Sequence, residues 1–99
     1  MTYEQILEKF KEEGINKKGI AYGDYRNIPE IGPSEEVDCY GGEDCGTEWY
    51  TVWYFKDHDV YIKVDAEYYS YEGVDFDGAV VSQVFPTKVT RIEYLPVKQ

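Results

Sequence analysis

The spacing of apolar positions changes twice along the chain. Near the start, Tyr3, Ile6, Leu7 and Phe10 recur at the three- and four-residue intervals of one helical stripe. Thr2 and Gln5 form a capping-box pattern, in which each side chain satisfies the other's backbone N–H. Lys9 and Lys11 sit near the far end, where the helix dipole favours cations, and Gly14 suits the position just beyond it. The spacing predicts a helix over 2–13 with a single apolar stripe, fit to cover a sheet.

Residues 14–46 carry little pattern. Gly19-Ile20-Ala21-Tyr22 reads as a short strand, and Pro29, Gly32 and Pro33 break any regular element after it. Glu35, Glu36, Asp38, Glu43 and Asp44 flank Gly41-Gly42, so 27–46 reads as an acidic surface loop. Loops of that length in a small domain are usually functional or mobile.

The rhythm then becomes two. Thr47–Phe55 and Val60–Tyr69 are β-rich runs around Lys56-Asp57-His58-Asp59, which predicts a central hairpin over 47–69. A one-residue slip exchanges its faces, so the register matters. Opposing Phe55 to Val60 puts Trp49, Thr51, Trp53 and Phe55 beside Val60, Ile62, Val64 and Ala66. The other face then holds Glu48, Tyr50, Val52 and Tyr54 beside Tyr61, Lys63, Asp65, Glu67 and Tyr69. Opposing Lys56 to Val60 instead would set Trp53 beside Lys63, so the first register is preferred; it also pairs Lys56 with Asp59. Ser70–Ala79 reads as a second acidic loop, Val80–Phe85 as a third strand and Thr87–Leu95 as a fourth. The expected fold is a single α+β domain over 1–99, one helix packed on an antiparallel meander of three to four strands spanning 47–95.

Charge sharpens this picture. The 99 residues hold 20 acids and 10 bases, a net charge of −10. Residues 1–26 are neutral overall, and residues 80–99 carry a small positive excess. The stretch 27–79 therefore holds all of the negative excess, with Lys56 and Lys63 as its only bases. Self-repulsion on that scale lowers stability. Solubility is one explanation for such a charge, a surface for a basic partner is a second, and a cation site is the third. Direct binding to nucleic acid or to an anionic membrane is disfavoured. No apolar run approaches the ~20 residues of a membrane span, and no signal-peptide pattern opens the chain, so a cytoplasmic protein is expected.

Catalytic and metal chemistry finds little support. His58, the sole histidine, falls in the hairpin turn between Asp57 and Asp59, where a solvated turn residue is the expectation. Cys39 and Cys45 enclose five residues; a disulfide is sterically conceivable, reduced thiols are the default, and with His58 they match no zinc spacing. Asp75-x-Asp77-Gly78 resembles a fragment of a calcium loop, but Gly73 and Val84 stand where that loop needs an acid and a glutamate. No phosphate-binding or nucleophile-elbow motif is present. A non-enzyme without cofactor or metal is expected.

The candidate partner-binding residues are Tyr50, Tyr54, Tyr61, Asp65, Glu67, Tyr69, Glu72, Asp75 and Asp77, with Tyr71 nearby. Carboxylates two residues apart on a strand lie ~6.6 Å apart on one face, on the scale of nucleic-acid charge spacing. Tyrosines add rigid contact area and hydroxyls, and the two residue types together fit an Arg/Lys-rich groove.

The runs Val60-Tyr61-Ile62-Lys63-Val64-Asp65 and Tyr68-Tyr69-Ser70-Tyr71-Glu72-Gly73-Val74-Asp75-Phe76, continuing into Val84–Tyr94, resemble small acidic phage and prophage proteins. Members of that group with known roles are often inhibitors of host defence, including anti-CRISPR proteins and DNA mimics. The resemblance implies a cytoplasmic inhibitor of a basic host nuclease or CRISPR effector, and assigns no catalytic residue. The alternative is a homodimeric assembly module formed through the tyrosine face or a sheet edge. A small-ligand site would need a basic pocket, for which Arg26, Lys88 and Arg91 are the candidates.

Overall fold

The computed structural model describes residues 1–87. The fold is α+β: helices α1 (Tyr3–Glu12) and α2 (Lys17–Tyr22), then strands β1 (Ser34–Tyr40), β2 (Glu48–Phe55), β3 (Val60–Tyr69) and β4 (Gly73–Val84). The strands form one antiparallel sheet in sequence order. The expected strand Thr87–Leu95 lies outside the described residues beyond Thr87.

α1 begins as its sequence dictates. Thr2 Oγ1 accepts from the Gln5 N–H at 3.2 Å, and Gln5 Oε1 accepts from the Thr2 N–H at 2.9 Å. Gly14 and Ile15 return their N–H groups to Lys11 and Phe10, the double bond of a Schellman stop. Ile6 and Phe10 are buried, with Tyr3 and Leu7 at the rim.

Residues 17–22 are helical, which corrects the strand expected at Gly19–Tyr22. Asn16 Oδ1 accepts from the Gly19 N–H at 2.8 Å, and Gly23 closes the helix in the left-handed region at φ 73°. Six residues between a strong cap and a strong stop are too few to display a helical period.

The expected loop over 27–46 is also corrected, at both ends. Its first part is a run of core turns: Ile28 and Ile31 donate N–H bonds to Tyr25 and Ile28, so three side chains spaced by three turn inward. Tyr25, Ile28 and Ile31 are all buried. Its second part contains β1, which pairs with β2 from Ser34↔Phe55 to Tyr40↔Tyr50, with Val37 as an extra residue.

The hairpin register is the expected one, with Phe55 opposite Val60 and Glu48 opposite Glu67. Trp53, Phe55, Val60, Ile62 and Val64 face Ile6, Phe10, Ile20, Ala21, Tyr25 and Ile31 in one core. Each large side chain sealed there contributes ~1.5–3 kcal/mol by leaving water. Trp53 Nε1–H donates to the Ala21 carbonyl at 3.0 Å, anchoring α2 to β2.

β4 overturns the division into an acidic loop at 70–79 and a strand from Val80. It is one strand from Gly73 to Val84, and its register shifts beside Ala66. Four residues, Phe76 to Ala79, span the gap between Glu67↔Asp75 and Asp65↔Val80. The bulge turns Phe76 onto Trp49 and Tyr22, at ring distances of 5.5 and 5.7 Å. That packing explains why an acidic, glycine-containing stretch stays within the sheet. Among the described residues, no helix is long and apolar enough to cross a membrane.

A candidate acidic, tyrosine-rich binding face

Both helices lie on one side of the sheet, and the register determines what the other side carries. β1 contributes Glu35, Asp38 and Tyr40, because they oppose Tyr54, Val52 and Tyr50. β2 contributes Glu48, Tyr50, Val52 and Tyr54; β3 contributes Tyr61, Lys63, Asp65, Glu67 and Tyr69; β4 adds Asp75 and, past its bulge, Val80, Ser82 and Val84. The face is thus mostly tyrosines and carboxylates around one lysine, with Val52 buried beneath them and Val80 and Val84 along β4.

The tyrosines meet because they are direct cross-strand partners. Tyr54 stacks on Tyr61 at 4.4 Å between ring centroids, and Tyr40 on Tyr50 at 5.9 Å. Their hydroxyls point at carboxylates. Tyr50 donates to Asp38 at 3.3 Å, Tyr54 to Asp59 at 3.0 Å, and Tyr69 to Glu67. Partial burial, then the Asp38 charge, raises the Tyr50 hydroxyl pKa. The hydrogen bonds to Asp59 and Glu67 do the same for Tyr54 and Tyr69. These phenols stay neutral donors at physiological pH and hold the acids in place.

The charge is uneven across the face. Lys63 sits 3.3 Å from Asp65 and 4.4 Å from the Tyr50 ring centroid, so Asp65 is neutralised by its neighbour. Glu67 differs. It lies directly opposite Glu48 on β2 and Asp75 on β4, and all three are exposed. With strands ~4.8 Å apart, this is a row of three anions about 10 Å long. Opposed like charges destabilise a sheet. The β1–β2 loop and the β3–β4 turn meet at the same end: Glu43, Asp44, Tyr69 and Tyr71 line a shallow cleft of about 410 Å³, closed by the Tyr68 N–H bond to Thr47 at 2.8 Å. Among the described residues, Tyr71 is the most exposed large hydrophobic side chain, at 81%.

Seven of the nine expected residues share the face: Tyr50, Tyr54, Tyr61, Asp65, Glu67, Tyr69 and Asp75. Glu72 lies beside its end, in the exposed β3–β4 turn. Asp77 does not join them. The bulge carries it to the helix side, where it borders a groove with Lys11, Lys17 and Lys18, and its N–H bonds Asp75 Oδ1 at 3.0 Å. Glu35, Asp38, Tyr40 and Glu48 belong to the face and were not among the nine. Glu48 was already legible in the hairpin register. The β1 residues were not, because β1 is wet on both sides and shows no alternation.

His58 is no free turn residue. Its Nε2–H is shared by the carbonyls of Glu30 and Ile31, at 3.1 and 3.0 Å, and clasps the hairpin to the core turns. Asp59 accepts from Tyr54, the bond the turn geometry provides. Cys39 and Cys45 carry free thiols. Among the described residues, no group of three His, Cys, Asp or Glu side chains converges as metal ligands; the Glu48–Glu67–Asp75 row is a line and not a cage. No family model, curated protein or solved structure matches this chain.

Proposed function

We propose that the chain is a phage-type inhibitory binding protein. Its acidic, tyrosine-rich face occludes a basic, nucleic-acid-binding surface on a host defence protein, a nuclease or CRISPR effector. The observation that carries this reading is the Glu48–Glu67–Asp75 row, a destabilising arrangement retained on the face away from the core. Fixed anions ~5–7 Å apart approximate the charge density of a nucleic-acid strand. The tyrosines around them offer low-entropy contact area and stacking surfaces for arginine.

The test is competition. The chain immobilised at low salt should retain a basic protein from a bacterial lysate, release it near 0.5 M chloride, and displace nucleic acid from it. Retention that is indifferent to salt, or a retained protein that still binds nucleic acid normally, contradicts the reading.

A further inference from the structure

The open edge of β1 has a different chemistry from the face. β1 is the terminal strand, and among the described residues nothing pairs with its outer side. Helix α2 lies against β2, β3 and β4, so β1 reaches past the core with Glu35–Tyr40 exposed on both surfaces. A strand edge of this kind is a template for another strand. One donor is engaged, since the Cys39 N–H bonds Asp38 Oδ1 at 2.9 Å. The usable stretch is therefore Ser34–Asp38.

The charges on this stretch select the occupant. Glu35 and Asp38 project on the outer face, and Glu36, opposite Trp53, projects on the helix side. A second copy pairing β1 to β1 would set these acids against their own kind, which is destabilising. A cationic strand would meet complementary charge on both surfaces. Strand side chains alternate between faces, so a strand serving both must carry cations at consecutive positions.

We propose that the β1 edge is a strand-addition site for an extended segment with consecutive lysine and arginine residues. This deepens the proposed function and rests on its premise that the partner is basic. The partner's cationic segment joins the sheet as a fifth strand beside β1, and the face covers the surface next to it.

The experiment uses the full chain and three synthetic peptides. The first has four consecutive Lys/Arg residues flanked by valine. The second is the same peptide N-methylated at alternate positions, which keeps the charge and removes ladder donors. The third spaces the same four cations with threonine. Amide chemical shifts locate binding and titration measures it. The first peptide should shift the Ser34–Asp38 amides and bind at least ~10-fold tighter than the second, the loss expected for removed strand hydrogen bonds. The third should bind more weakly than the first. Equal affinity for the first two, or shifts confined to Tyr50, Tyr61 and Glu67, overturns the proposal. So does a β1-mediated dimer of the free chain in sedimentation. The Glu48→Lys/Glu67→Lys variant should retain the first peptide at the edge even where it loses the captured partner. Peptide binding without partner capture would sink the face reading alone, and partner capture without edge shifts would sink the strand-addition site alone.

Discussion

Single residues hold the two layers together, and their chemistry can be tested directly. Tyr25 is fully buried between Phe10, Trp53 and Phe55, and burial pushes its hydroxyl up to about 12. An unfolded tyrosine titrates near ~10, so the folded state holds this proton more tightly. The resulting stability is complete below pH ~10 and is lost as pH rises from there towards about 12. Holding the proton that much more tightly corresponds to roughly 2–3 kcal/mol. Urea midpoints measured across that alkaline window should fall more steeply for the native chain than for Tyr25→Phe; parallel curves would show that Tyr25 is not the cause. Gly23 makes a second case. It sits at φ 73°, and a Cβ there would lie 3.0 Å from Trp53 Cη2. Gly23→Ala should lose ~1–2 kcal/mol in chemical denaturation, because an L side chain in this region is itself strained. An unchanged midpoint would mean that the α2 stop can relax.

Elements explain both what the sequence revealed and what it hid. The hairpin was readable because Trp53, Phe55, Val60, Ile62 and Val64 alternate with polar neighbours, Val52 excepted, and only one register separates the two sets. α1 was readable from Thr2, Gln5 and its apolar stripe. β1 was hidden because no residue between Glu35 and Tyr40 is buried, so no period exists to detect. α2 spans fewer than two turns, and its signal lies in Asn16 and Gly23 outside it. Tyr25, Ile28 and Ile31 reach the core from turns, which lack any fixed periodicity. Asp77 was misplaced because the β4 bulge breaks the alternation that places Asp75 on the face. The same sheet geometry makes a prediction about Glu67. Glu67→Gln keeps an acceptor for Tyr69 and relieves repulsion from Glu48 and Asp75. Stability in urea should rise by ~0.5 kcal/mol, while affinity for the basic partner falls. A loss of stability would mean that the row is not repulsive.

The whole molecule is polar in its charge. Residues 1–26, which supply both helices, are neutral overall, and the excess lies in the turns and strands from 27 to 79. Salt should therefore act in opposite directions on folding and on binding. Raising chloride from 0.05 to 0.5 M shortens the screening length several-fold, which should raise the urea midpoint by easing self-repulsion and weaken partner binding. Where the negative charge sits, rather than how much there is, can be isolated with one pair of variants. Glu48, Glu67 and Asp75 changed together to Gln, Gln and Asn remove three charges from the row. Glu4, Glu8 and Asp24 changed in the same way remove three exposed charges from the helical layer. The two variants carry equal net charge, and the measurement is the affinity of each for the captured basic partner at one ionic strength. The row variant should lose at least ~10-fold in affinity, about 1.4 kcal/mol, and the helical variant should change by less than twofold. Equal losses in the two would show that net charge alone governs binding and would contradict the acidic, tyrosine-rich face as the site.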